Sequence, residues 1–216
     1  MKIARNTSSW IANSFVVGSV FLFLFIIFNG FEISFVLFFI SIIFYILTAF
    51  FILFFRDPER NIGKGIVACA DGKIREISNL KDKDIGECTR ISTFMNIYNV
   101  HVNRMPVYGI IKSVKHTSGL HLPAFKKESE KNERVIILAN TKIGLIKINL
   151  MAGTLARRIE PYIKEEDELK KGDKIGIIKL GSRVDVYLPS NKIKNIKVKV
   201  NDLVKAGETN IAEIND

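Results

Sequence analysis

The chain has 216 residues, is 48% hydrophobic and carries a formal net charge of +10. Its two cysteines, Cys69 and Cys88, lack further cysteine partners, which excludes a cysteine-based metal site or a disulfide framework and leaves both as reduced residues without a role. No recognition helix or zinc-type spacing is present, so neither a metal nor a nucleic-acid partner is expected.

The composition divides near residue 55. Fourteen of the 16 Phe and the single Trp, Trp10, precede it, with Lys2, Arg5 and Glu32 as the only charged residues. Two apolar runs, about 10–28 and 33–55, approach or exceed the roughly 20 residues that cross a hydrocarbon core. A cleaved signal peptide is the rival, but the first run lacks a small-residue cleavage site and a second run follows at once. The reading is a membrane hairpin (1–55) turning at Asn29-Gly30-Phe31-Glu32, with a re-entrant path still open for the shorter run. Lys2 and Arg5 precede the hairpin and Arg56, Arg60 and Lys64 follow it, so both ends belong on the cytoplasmic side of the cell membrane.

Residues 1–55 contribute +1 (two basic, one acidic), leaving +9 for residues 56–216. Beside a membrane anchor that charge suits anionic headgroups, although plain solubilising charge explains it equally well. Residues 56–216 are one domain's worth of chain. Alternating or β-branched runs dominate: 65–69, 110–114, 135–138, 144–148 and 196–200, separated by turn residues. They predict a mainly β barrel or sandwich. Gly153 to Arg158 reads as helix or strand, and Lys126 to Arg134 as a charged loop. Asp167-Glu168-Leu169-Lys170-Lys171-Gly172-Asp173 recurs as Asp202-Leu203-Val204-Lys205-Ala206-Gly207-Glu208, each copy a glycine-ended turn before an apolar strand. This punctuation resembles lipoyl- and biotinyl-type flattened barrels. A membrane-tethered carrier on such a barrel would need a modifiable Lys in a Met-Lys-type hairpin tip, and none is present.

Gly181-Ser182 lies between two strand-like segments, in Leu180-Gly181-Ser182-Arg183-Val184-Asp185-Val186. Alone it is an ordinary turn dipeptide. A serine behind an unhindered glycine carbonyl can also attack that carbonyl and convert the amide to an ester. Elimination and hydrolysis would then leave a ketone, able to condense with a substrate amine.

Other phrases accompany it in order: Phe54-Phe55-Arg56-Asp57-Pro58-Glu59-Arg60, Ala70-Asp71-Gly72, Asn99-Val100-His101-Val102-Asn103-Arg104-Met105-Pro106-Val107, Asn132-Glu133-Arg134, Ala156-Arg157-Arg158-Ile159 and Lys205-Ala206-Gly207-Glu208-Thr209. With Leu180-Gly181-Ser182 they resemble the phosphatidylserine decarboxylase proenzymes of the short bacterial and archaeal type, from about Arg56 to the end. The resemblance implies self-cleavage into a large (1–181) and a small (182–216) subunit. Ser182 would become a covalent pyruvoyl group, the only cofactor, which serves as electron sink in converting phosphatidylserine to phosphatidylethanolamine. An ether-linked archaeal serine lipid is the alternative substrate. A homo-oligomer is compatible with the sequence.

His101 is the implied proton carrier, since imidazole titrates near neutrality. Where longer relatives carry a second histidine three positions on, this chain has Arg104, so His101 serves both steps or Arg104 contributes charge. Asp71 would orient His101 in a Ser182–His101–Asp71 arrangement; a turn aspartate is the plainer reading. Arg134, Arg157, Arg158 and Arg183 are candidates for the headgroup phosphate and carboxylate. His116 and His121 sit in no shared phrase and receive no chemistry. Leu120 to Phe125, flanked by Lys126-Lys127, either dips into the bilayer surface or packs as a core strand.

Overall fold

A computed structural model describes residues 2–120, 131–153, 158–179 and 182–215. They form two compact units, residues 1–59 and 60–216. In the first, strands β1 (Lys2–Ile3) and β2 (Arg56–Asp57) pair antiparallel across the feet of helices α1 (Ser8–Ile27) and α2 (Ile33–Phe54). Both helices are long and apolar enough to cross a membrane. Their seam is small and polar. Ser14 and Gly18 of α1 are buried against α2, where Thr48 Oγ1 donates to Ser14 Oγ at 2.9 Å and Phe44 lies over Gly18. Phe15, Phe23, Phe35 and Phe39 point outward, the inverse of a soluble hairpin and the packing that lipid demands.

The second unit is mainly β, as the alternating runs predict. Its strands are β3 (Ile66–Val67), β4 (Gly72–Asp82), β5 (Gly86–Met95), β6 (Val102–Arg104), β7 (Gly109–Thr117), β8 (Arg134–Thr141), β9 (Gly144–Ala152), β10 (Arg158–Pro161), β11 (Glu168–Leu169), β12 (Lys174–Lys179), β13 (Ser182–Pro189), β14 (Ile193–Ile196), β15 (Leu203–Val204) and β16 (Asn210–Ile214). An eight-stranded sheet runs β11-β7-β8-β9-β13-β5-β4-β15, and two three-stranded sheets run β10-β12-β6 and β14-β16-β3. The predicted strand at 196–200 is displaced: β14 ends at Ile196, and the Lys199 amide turns back to Asp202 Oδ2. In the segment left open between helix and strand, Arg158 begins β10; residues 154–157 lie outside the described residues.

Register explains the core. Ile137, Ile148, Val186, Ile91 and Ile77 form one cross-strand row of β-branched side chains from β8 to β4. The first four are buried, each stabilising the fold by about 1.5–3 kcal/mol. The adjacent row, one residue along, faces the other way and from β9 to β4 is polar: Asn149, Asp185, Ser92 and Glu76.

The internal repeat acquires a structural meaning. Its two copies supply β11 and β15, which pair with β7 and β4 at opposite edges of the large sheet. In both, the leading aspartate accepts the amide three residues before it, Lys164 N–H to Asp167 and Lys199 N–H to Asp202. Both also end on a left-handed glycine, Gly172 (φ 90°) and Gly207 (φ 78°). The repeat therefore covers two edges that would otherwise be open to pairing.

On the polar face Lys147 bonds Asp82 and, at 3.0 Å, Asp84, and lies 4.9 Å from the Tyr187 ring centroid. Burial pushes the Asp82 carboxyl up, but the Lys147 ammonium and the amides of Asp84 and Ile85 together pull it below its ordinary range. A depressed folded pKa contributes stability that is present above the unfolded value, roughly 4, and lost as pH falls through the folded one. Asp82→Asn should therefore melt below its parent at pH 7 and converge with it in acid. Thermal scans on a Ser182→Ala background test this, and a gap that stays constant with pH contradicts it.

Candidate active site

Ser182 opens β13 and is fully buried. It pairs with Met95 of β5 on one side and Ala152 of β9 on the other. The chain leaves the three-stranded sheet with Lys179 and enters the eight-stranded one at Ser182. Leu180 and Gly181, the intervening pair, lie outside the described residues. The serine thus stands where the chain crosses between two packed sheets. Alternation turns its side chain toward the core, with Val184 and Val186.

The Ser182 hydroxyl donates to Met95 Sδ at 3.0 Å. A thioether is a weak acceptor, so the hydroxyl is held without being strongly engaged. Asn103 Nδ2 reaches the same sulfur at 3.8 Å. Asn103 is fully buried, and its Oδ1 has no hydrogen-bond partner among the described residues. Leaving such a group unmatched costs about 1–3 kcal/mol.

His101 immediately precedes β6 and is fully buried. Its carbonyl accepts the Ile178 amide at 3.3 Å, extending the β6–β12 ladder by one residue. That extension puts His101 and Asn103 on one side of the strand, two residues apart. The ladder anchors His101 to Ile178, four residues before Ser182.

Asp71 is held by Arg60, whose Nη2 lies 3.0 and 2.8 Å from the two carboxylate oxygens, and by the Ala206 amide at 2.8 Å. The Asp71 and Arg60 side chains are only 11% and 6% exposed. The pair fastens the 60s segment to the C-terminal glycine turn. Arg104 is also buried, and its Nη1 donates to the Gly172 carbonyl at 3.0 Å. Cys69, whose carbonyl accepts the Arg104 amide, is buried, and that burial pushes its thiol up to about 12. It stays a neutral thiol at physiological pH.

The arginines separate by position. Arg183 follows Ser182 in the strand and so faces the opposite side of the sheet, where its Nε and Nη2 make a bidentate pair with Asp185 at 2.8 and 2.7 Å. Arg134 shares that face, registered with Met151, itself opposite Arg183. It lines a cavity of about 340 Å³ with Lys83 and Lys115. Arg158 is exposed at the start of β10, opposite Lys179, at the rim where the chain changes sheets. Arg157, His121 and the apolar stretch from 121 to 125 lie outside the described residues. Asn132 and Glu133 brace this rim. Asn132 Nδ2 donates to the Ala152 carbonyl at 2.8 Å, and Glu133 Oε1 receives the Ile159 amide at 3.4 Å. His116, without assigned chemistry, lies 2.9 Å from the same Glu133 oxygen.

Asn103, Met95 and Asn132 escaped the sequence reading. Asn103 carried a signal, since two residues beyond His101 on a strand means the same side. Asn132 stood in the quoted Asn132-Glu133-Arg134 phrase without an assigned role, and Met95 carried no signal, because its contact with Ser182 is long-range.

A buried hydroxyl and a buried carboxamide share the Met95 sulfur at a sheet crossing, and the buried His101 is tied through its backbone to the strand that leads into it. The profile of the family described as phosphatidylserine decarboxylase matches residues 47–212. A phosphatidylserine decarboxylase proenzyme of Streptomyces avermitilis is 45% identical over 158 residues, 73% of this chain and 71% of the relative. A protein of Methanococcoides burtonii named as an archaetidylserine decarboxylase proenzyme is 43% identical over 162 residues, 74% of this chain and 73% of the relative. One of the same name from Halobacterium salinarum is 44% identical over 159 residues, 73% and 77% respectively. This chain belongs to the phosphatidylserine decarboxylase family and is an enzyme of the decarboxylase type.

Proposed function

We propose that this chain cleaves itself between Gly181 and Ser182 and then decarboxylates phosphatidylserine through a pyruvoyl group derived from Ser182. The observation that carries this reading is the burial of Ser182 at the sheet crossing, its hydroxyl on nothing stronger than a thioether among the described residues and the buried His101 tied by its carbonyl to Ile178, four residues upstream. The site fits the group: a small keto cap replaces a small hydroxymethyl side chain, and the Asn103 carboxamide offers it a buried polar neighbour. Once formed, the pyruvoyl ketone supplies the electron sink for loss of carbon dioxide.

The remaining work belongs to the chain's own side chains. His101 accepts the Ser182 Oγ proton during self-cleavage and returns a proton to the substrate carbon after carbon dioxide leaves. Asp71, at the Arg60 anchor, supplies negative charge toward His101. Arg158, exposed at the rim, is among the described candidates the arginine best placed to hold the headgroup phosphate without entering the buried site. Arg183 and Arg134 face away and serve the sheet's polar side. The apolar hairpin holds the enzyme at the cell membrane, where its substrate resides, with the catalytic unit on the cytoplasmic face. Residues 1–181 and 182–216 remain together as large and small subunits, because β13 lies between β5 and β9.

Relatives named for ester-linked and for ether-linked lipids match this chain almost equally, which keeps an archaetidylserine-type substrate as the second reading. Carbon dioxide released from vesicles of each serine lipid should come from the processed chain and not from Ser182→Ala. Equal release from both proteins would end the proposal, and the ratio between the two lipids identifies the substrate.

A further inference from the structure

We propose that the Asn103 carboxamide is the donor that stabilises the oxyanion formed when Ser182 attacks the carbonyl preceding it. The inference rests on the self-cleavage reading above and adds a residue to it. Ser182 Oγ and Asn103 Nδ2 touch one sulfur, at 3.0 and 3.8 Å, so they are at most 6.8 Å apart, the sum of those distances. The attacked carbonyl carbon is bonded to the Ser182 nitrogen, so the reaction itself joins the developing oxyanion's carbon to Oγ.

Buried carboxamides are ordinarily hydrogen-bonded throughout. Asn103 is fully buried, yet its Oδ1 has no partner among the described residues and its Nδ2 has only a thioether. Strand β6 holds this weakly engaged donor on the sulfur that also receives the nucleophile's hydroxyl, and the described residues offer it no strong acceptor. The acceptor it matches is an oxygen whose charge develops only in the transition state. The cationic alternatives point elsewhere: Arg183 is paired with Asp185 on the far face, and Arg104 donates to the Gly172 carbonyl.

The step balances within the chain. The Ser182 oxygen forms a bond to the carbonyl carbon, its proton moves to His101, and the carbonyl π pair becomes an oxyanion received by Asn103 N–H. The C–N bond then breaks, the departing nitrogen takes the proton from His101, and an ester linkage remains. Both residues project from one side of the same strand, His101 for the proton and Asn103 for the charge.

Cell-free synthesis of the full chain in detergent, followed by mass spectrometry of the 182–216 fragment over time, tests this. Asn103→Leu should slow fragment release about 100-fold, the effect of losing one such donor. Asn103→Asp should be slow at neutral pH, where a carboxylate cannot donate. Its rate relative to the parent should then climb as pH falls and the carboxyl regains a proton. Parental rates in both Asn103 variants overturn the inference, as does a pH-independent Asn103→Asp ratio, which marks a packing role. A parental chain that stays whole instead removes the self-cleavage reading and this inference with it.

Discussion

Ser182→Ala should remain a single 216-residue species under conditions where the parent yields a 35-residue fragment, residues 182–216, with a blocked amino terminus. The effect is expected to be complete rather than graded, because the substitution removes the only atom that can form the ester. Alanine in a fully buried position beside Met95 and Ala152 leaves the strand pairing intact, so the variant should fold like its parent. Borohydride with an added amine should label the parent's small fragment and leave the variant unlabelled. Cleavage persisting in Ser182→Ala would place the reaction at another linkage and remove the enzymatic account.

His101→Gln belongs to the same experiment. Glutamine approximates the ring's reach but cannot accept the hydroxyl proton, so cleavage should fall by about two to four orders of magnitude. A variant that cleaves normally would leave Ser182 deprotonated by another group and reassign the base.

The core strands could be read from the chain because β-branched alternation over 135–152 has only one burial solution in an antiparallel sheet. The repeat was visible as punctuation, but its purpose depended on which long strands it met. The same alternation that revealed β13 also separates Ser182 from Arg183, and strand parity alone is enough to put Arg183 on the far face. Arg158, by contrast, owes its place at the rim to pairing with Lys179, a contact between segments 21 residues apart in sequence. The run 196–200 failed as a strand because Asp202 captures the Lys199 amide, a local bond that outcompetes ladder continuation. Met95 meets Ser182 across 87 residues of sequence and brings Asn103 to the same sulfur, and periodicity within a segment carries no information about such encounters.

Asp71 presents the sharpest remaining conflict between two roles, and the two can be separated. Its carboxylate pairs with the buried Arg60 and receives the Ala206 amide, so Asp71→Ala should destabilise the fold, by up to roughly 3 kcal/mol, leaving the buried guanidinium with only the longer 3.5 Å contact to Glu208. Loss of cleavage in that variant alone would therefore say nothing about His101. The double variant Arg60→Met, Asp71→Asn removes both charges together, fills the arginine's volume, and keeps a carboxamide oxygen for Ala206. It should regain most of the lost stability, since replacing both members of a buried pair is far less costly than removing one. If Asp71 also supports the imidazolium at His101, cleavage in this refolded variant should still be slowed at least 100-fold; the comparable carboxylate-to-amide change in a Ser-His-Asp triad costs about 10⁴-fold. Stability and cleavage recovering together would confine Asp71 to anchoring the C-terminal turn and leave His101 working without a carboxylate partner.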